Sequence, residues 1–183
     1  MTNKIFISAA AVALLVLTAC GQQHVRAPRA NTGGVAKLKA EEPAKPVPPV
    51  SFVDQNGDTH TLKQFRGRYV LLNLWATWCA PCVRELPALS HLQAALGPKR
   101  LSVVPVSVGR DTAAETAAFL KQHKAELPVY IDTKSTFLHA FGAFGLPLTV
   151  LIDPQGREIA RASGAVHWDA KDSIGYFESL KRS

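Results

Sequence analysis

The chain has 183 residues, with 21 Lys/Arg against 14 Asp/Glu and a formal net charge of +7. The excess is spread out: residues 20–48 hold five basic against two acidic side chains and residues 49–183 hold fifteen against twelve, so neither part carries the basic patch that nucleic-acid binding asks for. Three cysteines are too few for a four-thiolate zinc site, and the six histidines are scattered without ligand spacing, so no metal site is expected.

Lys4 opens the chain with a short positive region, followed by an apolar and small-residue stretch over 5–17 and then Leu17-Thr18-Ala19-Cys20. The stretch falls short of the about 20 apolar residues of a membrane-spanning helix and is kept out of fold reasoning. It resembles a bacterial lipoprotein signal with its lipobox. That resemblance implies cleavage of residues 1–19, lipid on Cys20, and a periplasm-facing, membrane-anchored protein, leaving only Cys79 and Cys82 free to pair. An ordinary secretory signal with an incidental cysteine is the alternative. Gly21 stands where an aspartate commonly marks inner-membrane retention, which favours the outer membrane. Residues 20–49, rich in Ala, Pro, Gly and Lys and poor in large apolar side chains, read as a disordered tether with an extended Pro-rich end.

Residues 50–183 suffice for one domain with its own core. Strands over 51–53 and 59–62 flank Asn56-Gly57, a strong hairpin signal, and Arg66-Gly67 breaks the chain before an apolar strand over 69–75. A helix over 80–96 follows, with Leu86, Leu89, Leu92 and Leu96 at helical spacing, Pro87 predicting a kink and Gly97-Pro98 a stop. Then come a strand over 101–108, a helix over 112–124, a strand over 127–132, a short helix over 135–141 and a strand over 149–152. Asp153-Pro154-Gln155-Gly156 turns the chain into a strand over 158–163, and a helix over 169–181 closes it. The alternation predicts an α/β sandwich: a central mixed sheet flanked by helices, with an N-terminal β-hairpin extension.

Trp78-Cys79-Ala80-Pro81-Cys82 lies where the 69–75 strand gives way to the helix. A sulfur at a helix start meets unpaired backbone N–H groups and the positive end of the dipole, which favour its thiolate. A second thiol three residues on can close a disulfide with it, so the segment can carry two electrons. As a structural staple so short a loop would stabilise little, and no second Cys pair completes a zinc site.

The dithiol motif, Pro87 five residues on, and Gly145-Leu146-Pro147-Leu148-Thr149 before a strand together resemble the thioredoxin fold. Within it, Cys82-Val83-Arg84-Glu85-Leu86-Pro87 and Leu151-Ile152-Asp153-Pro154-Gln155-Gly156-Arg157 look like the TlpA/ResA group of membrane-anchored thiol:disulfide oxidoreductases. The resemblance covers roughly 50–168. It implies a cis Leu146-Pro147 bond beside the dithiol, with Trp78, Leu146 and Pro147 receiving an extended substrate. No cofactor is implied beyond the dithiol. The implied partners are a membrane thiol electron donor and exported proteins bearing disulfides, such as cytochrome c or copper-site cysteines. Glu85 lies one helical turn after Cys82, so its carboxylate either moves the resolving thiol's proton or is an ordinary solvated helix residue. The family's habit of a glutamate here favours the first, as does Asn73, which stands where thioredoxins bury an aspartate. Trp78 is expected to cover the dithiol in preference to Trp75, and Trp168 and Phe144 read as core. Two further classes are open. A thiol peroxidase would want Pro and Thr or Ser where Leu72 and Ala76 stand, and a copper-binding assembly protein could use the two soft thiolates.

Overall fold

A computed structural model describes residues 34–132 and 134–180. Its centre is an eight-stranded sheet of order β1-β8-β7-β4-β5-β6-β2-β3. The strands are β1 Lys39–Pro46, β2 Ser51–Asp54, β3 Thr59–Thr61, β4 Tyr69–Trp75, β5 Leu101–Ser107, β6 Tyr130–Ile131, β7 Leu148–Ile152 and β8 Arg157–Ser163. The helices are α1 Ala80–Leu96, α2 Ala113–Gln122, α3 Thr136–Ala140 and α4 Lys171–Ser179. Strands β4, β5 and β6 run parallel to one another and every other pairing is antiparallel. This is the mixed sheet flanked by helices that the element order predicts, with the β2–β3 hairpin at one end.

All seven residues of β4 are buried, and the two-residue period of a strand divides them between two cores. Tyr69 and Leu71 join Leu89 and Leu92 of α1 and Phe177 of α4. Val70, Leu72 and Leu74 join Phe137 and Phe141 from α3 and its end, with Phe52 of the hairpin. Each of these fully buried leucines contributes about 1.5–3 kcal/mol relative to exposure. The same alternation aims Asn73 and Trp75 at the α1 side.

Helix α1 continues through Pro87, which has no N–H to give the Val83 carbonyl, and stops at Gly97, whose φ of 71° suits a residue without Cβ. Helix α2 starts at a full capping box: Thr112 Oγ1 accepts from the Glu115 N–H and the Glu115 carboxylate accepts from the Thr112 N–H. The strand expected over 127–132 shortens to Tyr130–Ile131, because Pro128 has no N–H to enter a ladder.

The tether reading needs correction at its C-terminal end. Gly34–Lys37 forms a 3-10 turn with Val35 buried in the α1-side core, and Lys39–Pro46 is the strand β1, paired antiparallel with β8. A strand at the sheet's end needs ladder partners on one side only, so it accommodates Pro43 and Pro46 and largely exposed side chains. Such a composition is indistinguishable from a linker until its pairing is seen. Residues 20–33, with Cys20 and Gly21, and the signal over 1–19 lie outside the described residues. No helix among the described residues is long and apolar enough to cross a membrane.

Candidate active site

Strand β4 delivers the chain to the dithiol. After Trp75 the chain turns, with the Cys79 N–H donating to the Ala76 carbonyl at 3.1 Å and Thr77 Oγ1 donating to the Asp111 carboxylate at 2.8 Å. Cys79 is the N-cap of α1, and its sulfur accepts from the Cys82 N–H at 3.3 Å. The two sulfurs are joined as a disulfide, with Cα atoms 5.3 Å apart. Cys79 is 5% exposed and Cys82 not at all. The sulfur at the helix start is thus both the less buried of the two and the one that accepts from a first-turn backbone N–H, which are the conditions for a stabilised thiolate once the bond is reduced.

Pro147 arrives from the other end of the chain. Antiparallel pairing sets Leu148 opposite Leu74. The register places Leu146 and Pro147 beside the end of β4 where the dithiol begins, and Leu146 packs against the buried cluster that holds both cysteines. The Leu146–Pro147 bond is cis, as the resemblance implied. The Pro147 carbonyl accepts from the Gly164 N–H at 2.9 Å. A second cis bond, Glu42–Pro43, carries no signal in the sequence.

Glu85 is 3% exposed, so the solvated-helix reading fails. Its Oε1 accepts from Asn73 Nδ2 at 2.7 Å, and its Oε2 accepts from the Val166 N–H at 3.0 Å and Trp168 Nε1 at 3.2 Å. Asn73 Nδ2 is held in turn by Thr149 Oγ1 at 2.9 Å. Burial pushes the Glu85 carboxyl up to about 7, against the opposing pull of the Val166, Asn73 and Trp168 donors and the Lys37 charge. A carboxyl poised at neutrality can take a proton or return it, and it sits one helical turn from Cys82.

Trp78 is 72% exposed, and Trp75 is the tryptophan that shares the buried cluster with both cysteines. Phe144, read as core, is corrected: it stands fully in solvent at 106% relative exposure, in the loop leading to Leu146. Neither side chain can be assigned from hydrophobicity alone, because both sit on turns with no period to say which way they face. Trp168 is core as expected, and it is also a donor to Glu85. The donors Val166 and Trp168 were missed. One is a backbone N–H, and the indole N–H of the other gains meaning only once an acceptor is known to be buried beside it.

Comparison with known proteins agrees with this geometry. Residues 43–160 match the AhpC/TSA family. The thiol-disulfide oxidoreductase ResA of Bacillus cereus is 31% identical over 132 residues, covering 72% of this chain and 76% of that protein. ResA of Bacillus subtilis is 33% identical over 113 residues, covering 62% and 63%. Among solved structures, a protein assigned as the thiol:disulfide interchange protein DsbE of Chlorobium tepidum superposes with a TM-score of 0.66 at 26% identity, covering 75% of this chain and 96% of that one. The exposed lipoprotein thioredoxin Etrx1 of Streptococcus pneumoniae shares the fold, with a TM-score of 0.60 at 24% identity and coverage of 73% and 100%. A Cys-x-x-Cys disulfide at a helix start, a cis proline beside it and these relatives converge: the chain belongs to the AhpC/TSA family and, within it, to the ResA/TlpA-like thiol:disulfide oxidoreductases.

Proposed function

We propose that the protein is a lipid-anchored, extracytoplasmic reductase of disulfides in exported proteins, with Glu85 as the proton carrier of its resolving step. The observation that carries the mechanism is a fully buried Cys82 one helical turn from a carboxyl whose site holds it near neutrality. In the first step the Cys79 thiolate attacks one substrate sulfur, the substrate S–S bond breaks, and the other substrate sulfur leaves as a thiolate. The Cys82 thiol then gives its proton to the Glu85 carboxylate. The resulting Cys82 thiolate attacks Cys79 Sγ, and the second substrate sulfur leaves. The substrate gains two electrons and the protein closes its disulfide, to be reopened by a membrane dithiol donor. Trp78, Leu146 and Pro147 line the approach. The anchor rests on Leu17-Thr18-Ala19-Cys20, and Gly21 favours the outer membrane.

Leu72 and Ala76, where a thiol peroxidase would want Pro and Thr or Ser, are apolar and buried, so peroxide activation lacks its polar partners. The test is substrate trapping. Cys82→Ser should accumulate mixed disulfides with exported proteins, while Cys79→Ala should form none and lose exchange by a factor on the order of 10⁴ or more. Trapping through Cys82 in the Cys79→Ala protein would reverse the roles. A reduction potential above the glutathione couple would replace reduction by oxidation, and copper(I) binding without exchange would replace both with an assembly role. Intact mass and detergent partitioning of the mature protein check the lipid on Cys20.

A further inference from the structure

Glu85 is enclosed by groups from five directions. Asn73 comes from β4, backed by Thr149 of β7; Cys82 lies one turn back on α1; Val166 and Trp168 come from the segment after β8; and Lys37 comes from the turn before β1. Lys37 is the charged member of this set in the oxidised protein, and the Cys82 thiol joins it as a titratable group once the disulfide is reduced. Lys37 does not touch the carboxylate. Its Nζ donates instead to the Ala165 carbonyl at 2.8 Å, and the N–H of that same peptide unit, on Val166, donates to Glu85 Oε2 at 3.0 Å.

We propose that Lys37 is a positioning residue for Glu85, acting through the single peptide unit between Ala165 and Val166. A charge-assisted hydrogen bond on a carbonyl draws electron density toward oxygen and makes the N–H at the other end a stronger donor. The ammonium therefore reaches the buried carboxylate along a rigid amide plane and stays in solvent itself. It also fixes which way that plane faces, so the Val166 N–H keeps its aim.

The turn carrying Lys37 is built to hold this position. Val35 is buried in the core with Val166 and Trp168, and the Leu38 N–H donates to the Val35 carbonyl at 2.8 Å. Gly34 lies so close to the segment that a Cβ there would overlap the His167 carbonyl oxygen and Ser173 Oγ. A glycine is required at that approach. Lys37, Ala165, Val166 and Trp168 all fall outside the residues 43–160 that match the family.

The catalytic consequence rests on Glu85 carrying the resolving proton, and the test keeps the two apart. In the oxidised full-length protein the Glu85 side-chain carboxyl is titrated by carbon-13 NMR, in the parent, Lys37→Met and Lys37→Arg. Lys37→Met should raise the midpoint by about half a pH unit, a roughly threefold change in the ratio of ionised to protonated carboxyl, and Lys37→Arg should restore it. The shift should persist from about 0.15 M to about 1 M salt, where the screening length falls from about 8 to about 3 Å, because the contact runs through a peptide rather than solvent. One midpoint for all three proteins, or a shift that disappears in high salt, overturns the proposal. A persistent shift with an unmoved pH profile of exchange supports Lys37 as positioner and counts against Glu85 as proton carrier.

Discussion

The two sides of the dithiol invert the usual distribution of polarity. Outside, Trp78, next to Cys79 in the chain, and Phe144, two residues before Leu146, are large, apolar and in solvent. On the inner side Asn73, Glu85 and Thr149, all polar, are buried beneath the cysteines' helix. A fold seeking stability alone would exchange them, since exposed aromatics forgo burial and a buried carboxyl resists ionisation. Under the proposed function the outer side suits a partner that arrives and leaves, and the inner side a proton that does the same.

Four substitutions break or sharpen this contrast, and the largest effect belongs to the inner side. Glu85→Gln should slow the resolving step about 10²-fold and remove the rise in rate through pH about 7, as followed by stopped flow. The same variant has a stability signature. The folded carboxyl titrates at about 7 against 4.5 for an unperturbed glutamate, so between those values the folded state holds the proton that the unfolded state has lost. Stability is therefore full below pH about 4.5 and declines as pH rises to about 7, by roughly 3 kcal/mol in all. Urea unfolding at pH 5 and pH 8 should show this loss in the parent and not in Glu85→Gln.

Asn73→Asp is next. It replaces the 2.7 Å donor to Glu85 with a second carboxyl, so the pair shares a proton and its upper titration moves above 7. Exchange at neutral pH should fall about tenfold and recover near pH 9, since each unit of upward shift costs about tenfold in ionised carboxyl. A pH profile identical to the parent would show that Asn73 does not govern the Glu85 proton.

The outer side should give the smallest effect and a different kind. Trp78→Ala and Phe144→Ala should each raise KM for a protein disulfide about fivefold and leave a small disulfide unaffected, because truncated contact residues cost binding, not chemistry. Equal losses on both substrates would place these side chains in the chemistry instead.

How much of this was legible in the sequence follows from how local each feature is. Cys79 and Cys82 announce themselves because spacing along one strand, turn and helix encodes their roles, whereas Pro147 was legible only through the resemblance carried by Gly145-Leu146-Pro147-Leu148-Thr149. Glu85 was legible as a candidate from its helical spacing to Cys82, and Asn73 only through the resemblance, since it stands where thioredoxins bury an aspartate. The rest of the carboxyl's enclosure comes from residues 37, 149, 166 and 168, which no periodicity links to residue 85 and which include a backbone N–H. Gly34 to Pro46 misled in the opposite way. Prolines and charges lower the local tendency to form a strand, and only the one-sided ladder to β8 reveals why they are tolerated.

That first strand has a consequence for how copies of the protein meet. Among the described residues the eight-stranded sheet ends in two outer rows of backbone groups, each a position at which another chain could extend the sheet. At one end the row belongs to β1, where Pro43 and Pro46 supply no N–H, Lys39 and Lys45 carry charge, and the ladder loses register between Ala40 and Lys45. At the other it belongs to β3, only three residues long. Neither row offers a run of donors and acceptors long enough to recruit a neighbour. Copies crowded together would collide edge to edge without polymerising.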